Sequence, residues 1–394
     1  MFLAERVTTD VLAVLEQEIA KENIAGANAL IRQNGKDFAY VEAGYADVAN
    51  KKPIKRDTIF RAYSMSKPIT SAAVMKLVER GQISLSEPVW KYLPGFIDQK
   101  IVTKEGSQVV RRPALIKDLL SMTSGLPYGW AEGGPVEVAV QELFDEIDQK
   151  LYTDEALGTV EIANRLGEIG VCFQPGDSWQ YGTSADILGA VVEVVSGVKY
   201  GEFLEEELFK PLGMIDTGFW VPEEKKHRLA QAYERRNGKL ELFETNHLGI
   251  KYTREEGPAF ESGGAGLSTT IDDYAHFAQM LLDGGKYNNK EVLAPGTVAF
   301  MTSRKLTPTQ QERFWYDWDN HQGYSYGCLM QHMIEPQMSY YPTWLDEYGW
   351  DGWLGTYFMN SPHNKITILL GMQVSNPEGN LVFEKVRDVV AKFM

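Results

Sequence analysis

The chain has 394 residues, of which 44% are hydrophobic and 24% charged, so it has the make-up of a globular protein able to bury a large core and is neither a disordered nor a fibrous chain. Its formal net charge of −15, relieved only by short basic pairs such as Arg111-Arg112 and Arg235-Arg236, opposes a phosphate backbone and argues against nucleic acid as a partner. Two cysteines, Cys172 and Cys328, are too few for a disulfide framework and lack zinc-site spacing, and the six histidines show no His-Glu-x-x-His arrangement; no metal and no cofactor is expected.

At the N-terminus Glu5 and Arg6 precede any long apolar run, and Val11, Leu12, Leu15 and Ile19 then repeat at helical spacing. A helix is expected here, and no secretion signal is visible in the sequence. With no apolar stretch of about 20 residues anywhere, neither a membrane span nor a membrane partner is expected, and the expected location is cytoplasmic. Two β-like runs follow, Ala27 to Gln33 and Phe38 to Ala43, joined by the hairpin signal Asn34-Gly35. From Pro68 to Leu212 the pattern is mostly helical, with segments Ala72 to Arg80, Glu137 to Lys150, Val160 to Gly167 and Ala185 to Val195 between Gly and Pro turns. β-like runs return at Tyr324 to Met333, Gly355 to Asn360 and Ile366 to Val374, before an amphipathic helix from Leu381 to Phe393. The expected architecture is α+β: an antiparallel sheet flanked by helices, with a mostly helical lobe inserted. All of 1–394 would form one catalytic domain, its α/β lobe about 1–67 and 213–394 and its helical lobe about 68–212.

The segment with chemistry is Phe60-Arg61-Ala62-Tyr63-Ser64-Met65-Ser66-Lys67-Pro68. If Ser64 opens a helix, Lys67 lies one turn on along the same face, where its amine reaches the hydroxyl as a base. The helix N-terminus supplies free N–H groups and positive dipole for an oxyanion, and Pro68 is tolerated in the first turn. On its own, an isolated Ser-x-x-Lys is more often a plain helix N-cap. A second copy, Ser196-Gly197-Val198-Lys199, sits where Gly197 should terminate a helix, at the end whose dipole opposes an oxyanion.

The stretch Asp57 to Lys67 resembles the nucleophile segment of class C β-lactamases, the serine carboxylesterases related to them and low-molecular-weight penicillin-binding proteins. Gly81 to Leu85, Ile116 to Leu126, Pro175-Gly176-Asp177 with Trp179 to Gly189, and Gly263 to Thr269 resemble the same superfamily in the same order. The likeness is nearest to the family VIII carboxylesterase branch and implies a β-lactamase-like fold. It matches Tyr181 to a tyrosine that exchanges protons with the serine and the leaving group in a Tyr-x-Asn motif, with Thr183 in place of the asparagine. Tyr287-Asn288-Asn289 also fits that motif but follows a turn signal. No Lys-Thr-Gly occurs; Trp350-Asp351-Gly352-Trp353 stands in its place, similar to the esterase branch's Trp-Gly-Gly. Exchanging a cation for an indole removes attraction for anionic substrates and adds apolar surface.

The resemblance therefore implies hydrolysis of small neutral carboxylic esters through an acyl-enzyme on Ser64. The backbone N–H groups of Ser64 and Trp353 would form the oxyanion hole, and Trp350, Asp351, Gly352, Tyr128 and Thr183 would line the cleft. Alternatives on the same fold are a β-lactamase, a D-aminopeptidase, a DD-peptidase-like penicillin-binding protein, an acyltransferase or a catalytically silent sensor. A different class is an α/β-hydrolase whose nucleophile elbow is Gly323-Tyr324-Ser325-Tyr326-Gly327, with His332 or His363 as base.

Overall fold

A computed structural model describes residues 3–375 and 377–393. The first helix, α1 (Leu3–Ala20), buries Val7, Val11 and Leu15 along the face that the apolar spacing marks out. It leads into the hairpin of β1 (Gly26–Gln33) and β2 (Lys36–Asp47). Asn34 and Gly35 at its turn both have positive φ, 51° and 75°, which the tight two-residue turn requires.

After the short β3 (Lys52–Pro53), the remaining strands of the main sheet come from the far end of the chain: β4 (Tyr324–Gly327), β5 (Met330–Met333), β6 (Tyr348–Asp351), β7 (Tyr357–Ser361) and β8 (Ile366–Met372). Their order is β4-β5-β6-β7-β8-β1-β2-β3, antiparallel at each junction, with Leu30 opposite Leu369 where the two ends of the chain meet. β8 is buried at every position and β1 at its first six, so the middle of the sheet is covered on both faces. α1 packs on β2 and on the C-terminal helix α7 (Pro377–Ala391), whereas α6 (Ile271–Leu282) packs on β7 and β8.

Between these ends stand α2 (Ser66–Glu79), α3 (Pro135–Lys150), α4 (Thr159–Ile169) and α5 (Ser184–Ser196), close to the helical segments expected from sequence. Three features differ. The hairpin Lys100–Thr103 with Gly106–Val109 interrupts the stretch read as helical. β6 is an unanticipated strand only four residues long. Tyr324 to Met333 is two strands and not one, because Cys328 and Leu329 turn with φ of 49° and 61°. Neither residue carries a turn signal; the turn is held by burial of both side chains and by the Leu329 N–H on the Leu120 carbonyl at 2.8 Å. Among the described residues no helix is long and apolar enough to cross a membrane.

One buried ion pair locks α7 to the sheet. Arg387 Nη2 donates to both Glu347 oxygens at 2.9 Å and to the Pro342 carbonyl at 3.0 Å, while Nη1 donates to Tyr357 Oη at 2.7 Å. Replacing Arg387 with Met strands the Glu347 carboxylate in the core, so the expected loss is about 3–5 kcal/mol in urea unfolding. A loss below about 1 kcal/mol would show that the pair is not needed to seat the helix.

Candidate active site

Ser64 lies in the single 3-10 turn Tyr63–Met65 that runs into α2, with Tyr63 in the left-handed region at φ 44°. Several bonds hold this turn in a conformation a tyrosine disfavours. The Ala62 N–H donates to the Leu267 carbonyl at 2.9 Å, the Leu267 N–H to Ser66 Oγ at 3.1 Å, and the Tyr274 phenol to the Met65 carbonyl at 2.9 Å. α2 itself is buried from Ser66 through Met75, a helix enclosed on all sides rather than a surface one.

In its first turn, three residues after Ser64, Lys67 is fully buried. Its Nζ donates to Ser64 Oγ at 3.0 Å, to Tyr128 Oη at 2.9 Å and to the Gly264 carbonyl at 2.9 Å. Burial lowers the amine to about 7, against the opposing pull of Asp186 and Asp351. The ammonium position lies 4.6 Å from the centroid of the Tyr181 ring and 5.3 Å from that of Tyr128.

The third group, Tyr181, sits in the loop before α5. Its Oη accepts from Trp350 Nε1 at 3.0 Å and shares a hydrogen bond with Ser64. Burial pushes the phenol well above its usual range even though those two bonds favour the phenolate. Tyr128 meets Tyr181 edge to face at 5.6 Å, so both phenols border the Lys67 amine, and Lys67 and Tyr181 reach the serine hydroxyl.

Residues 352–356 bring Trp353 to the same turn. A Cβ on Gly352 would overlap the Ala62 carbonyl and the Thr356 hydroxyl, so glycine alone fits there. Thr356 Oγ1 donates to that same Ala62 carbonyl at 3.1 Å, two residues before Ser64. Among the described residues the Trp353 N–H has no backbone carbonyl partner, which leaves it available to a ligand. The indole is 37% exposed, stacked on His247 at 4.1 Å and edge-on to Tyr63 and Phe243.

Three residues expected to line the cleft are buried, Gly352 among them. Thr183 is fully buried and its hydroxyl neither caps α5 nor meets any partner, so it has no surface to offer a substrate. Trp350 is 1% exposed and spends its N–H on Tyr181; it positions the phenol. Tyr128 and Asp351 keep partial exposure, and burial raises the Asp351 carboxyl to about 6.

Asp186, on the first turn of α5, was not singled out from sequence. Its Oδ1 accepts from Ser262 Oγ at 2.5 Å and from the Gly264 N–H at 3.0 Å, which fixes the loop whose carbonyl receives the Lys67 proton. The local signal was an acidic residue in a helix first turn, indistinguishable from a dipole-stabilising one.

The competing motifs lie elsewhere. Gly197 terminates α5 in the left-handed conformation, and Ser196 Oγ bonds to the Glu193 and Val198 carbonyls. Asn288 and Asn289 form the turn of a two-strand hairpin. Ser325 is fully buried within β4 opposite His332, whose Nε2 is bonded to the Gly327 carbonyl, and the strand turns into β5 where an elbow needs a helix. His363 is exposed on the turn between β7 and β8. The nucleophile-elbow reading is thereby overturned.

An antiparallel sheet built from both ends of the chain, with helices inserted and a serine and lysine at the N-terminal end of the buried helix between them, is the fold of the serine β-lactamases and penicillin-binding proteins. The chain belongs to the Beta-lactamase family, whose model matches residues 11–391. Protein Rv1367c of Mycobacterium tuberculosis is 30% identical over 358 residues, covering 89% of this chain and 86% of that protein. Esterase EstB of Burkholderia gladioli is 32% identical over 272 residues, 66% of each chain. Among solved structures, EstCE1, described as a hydrolase with promiscuous acyltransferase activity, superposes with a TM-score of 0.83 at 26% identity, covering 98% of this chain and 99% of that one.

Proposed function

We propose that this chain is a serine esterase that transfers the acyl group of small neutral carboxylic esters to Ser64 and then to water. The observation that carries the reading is the buried Lys67 amine 3.0 Å from Ser64 Oγ, lowered by burial to about 7. Near neutral pH a large share of such an amine is unprotonated and can take the serine proton as the hydroxyl attacks. The same burial keeps Tyr181 a phenol, which suits it to donate to the departing alkoxide and to receive the proton back from Lys67. The N–H groups of Ser64 and Trp353 would carry the tetrahedral oxyanion. Release of alcohol leaves the acyl-enzyme, and water entering by the same route completes hydrolysis.

The esterase reading over a lactamase one is supported by the part-exposed indole of Trp353 in the segment where a Lys-Thr-Gly lysine would stand, and by the likeness to EstB and EstCE1. Acyl transfer to an alcohol in place of water is a second reading, favoured by the acyltransferase activity of EstCE1.

Comparing p-nitrophenyl butyrate with a chromogenic cephalosporin tests the proposal. The ester is expected to give a kcat/KM at least about 100-fold higher, since the sequence has no Lys-Thr-Gly lysine to meet the lactam carboxylate. A cephalosporin turned over as well as the ester would refute it.

A further inference from the structure

A cavity of about 410 Å³ opens where the edge strand β4 meets the helical lobe, and none of Ser64, Lys67, Tyr128, Tyr181 or Trp353 lines it. The Lys305 N–H, donating to the Tyr326 carbonyl of β4 at 3.1 Å, fixes one wall. The Gln310 amide, donating to the Gly176 carbonyl at 2.7 Å, fixes another. Leu85, Leu120 and Phe300 supply its apolar surface.

Charge sets this cavity apart. Three cations line it, Arg112, Lys117 and Lys305, against one carboxylate, Asp118, in a chain whose net charge is −15. Asp118 is committed to Arg112: its Oδ2 accepts from Nη1 at 2.6 Å and its Oδ1 from Nη2 at 3.1 Å. Among the described residues neither Lys117 nor Lys305 has a carboxylate within ion-pair distance. The Lys305 amine stands 3.5 Å from the centroid of the Phe300 ring and donates to Ser303 Oγ at 2.8 Å. Burial lowers it, and no carboxylate opposes that. Lys117 is exposed, and Arg112 and Lys305 are part-exposed, so all three are open to a ligand arriving from solvent.

We propose that this cavity binds a small phosphate monoester with an apolar body, its phosphate on Lys117 and Lys305 and its apolar part on Leu120 and Phe300, at a site separate from the cleft at Ser64. With Arg112 neutralised by Asp118, two positive charges remain, matching the charge that a phosphate monoester approaches near neutral pH. An ammonium has three donors, and Lys305 uses one of them on Ser303, which leaves two for phosphate oxygens. The volume falls in the range of about 300–1,000 Å³ usual for small-molecule sites and exceeds what a bare ion fills. A neutral ligand would leave both lysine charges unmet.

Titration calorimetry of the unmodified protein with phenyl phosphate, at pH about 7.5 and an ionic strength of about 0.05 M, tests this. Saturable binding at one site is expected, weakened at least about 10-fold in Lys305→Met and in Lys117→Met, each of which removes a charged hydrogen bond. No saturable binding up to about 10 mM, or unchanged affinity in either folded variant, overturns the proposal. Lys117 is exposed, so Lys117→Met decides should Lys305→Met fail to fold. Inorganic phosphate should bind at least about 5-fold more weakly for want of an apolar part, and equal affinity would count against an ester as the ligand. A crystal soaked in phenyl phosphate should show the phosphate within hydrogen-bonding distance of both amines; density for it in the cleft at Ser64 alone contradicts a separate site.

Discussion

Replacing Ser64 with alanine is expected to lower kcat/KM for p-nitrophenyl butyrate by at least about 10,000-fold while leaving the far-ultraviolet circular dichroism unchanged. The proposed route forms a covalent bond to Ser64 Oγ, and no neighbouring group readily replaces it: Lys67 stays bonded to Tyr128 and the Gly264 carbonyl, and the Tyr128 and Tyr181 phenols are held protonated by burial. What survives would be the polarisation of a bound ester by the oxyanion donors. The fold should tolerate the change, because the hydroxyl is partly exposed and its backbone turn is fixed by bonds from Ala62, Met65 and Ser66. Retention of more than a tenth of the activity would move the nucleophile elsewhere.

Lys67→Met carries the second large effect, a fall of about 100- to 10,000-fold in kcat/KM, with a change in pH profile that a purely structural role would not produce. In the unmodified enzyme the amine must be unprotonated to accept the serine proton. Activity should therefore rise with pH through about 7 and level off above it. The variant should lose that limb along with the rate. The same amine has a stability signature. Its pKa falls from 10.5 to about 7 on folding, so between those values the unfolded chain holds a proton that the folded chain does not, and stability should increase with pH across that window. Lys67→Met should flatten that slope. An acidic limb near 7 that persists in the variant would assign the titration to another group, with Asp351, raised to about 6, the first to examine.

Ser64 and Lys67 were legible in sequence because their relation is local: three residues on one helix face bring amine and hydroxyl together whatever surrounds them. Tyr181 is 117 positions beyond Ser64, too far for spacing to relate them, and was named only through the resemblance to a known family. The contacts that tune the lysine were out of reach for the same reason. Gly264 and Tyr128 come from separate loops, and Asp186 acts on Lys67 through the Ser262–Gly264 backbone. Trp350 and Thr183 show a different limit. Motif position brought them to the site, but burial decided that one would hold a phenol and the other would face the interior. The β4–β5 turn went unread because Cys328 and Leu329 owe their left-handed backbone to tertiary packing.

The nucleophile is tested most directly by labelling the native protein with a fluorophosphonate and identifying the modified peptide by mass spectrometry. The account predicts a single adduct on Ser64, suppressed by prior incubation with a slowly hydrolysed ester. An adduct on Ser325 or another serine, with Ser64 unmodified, would contradict it.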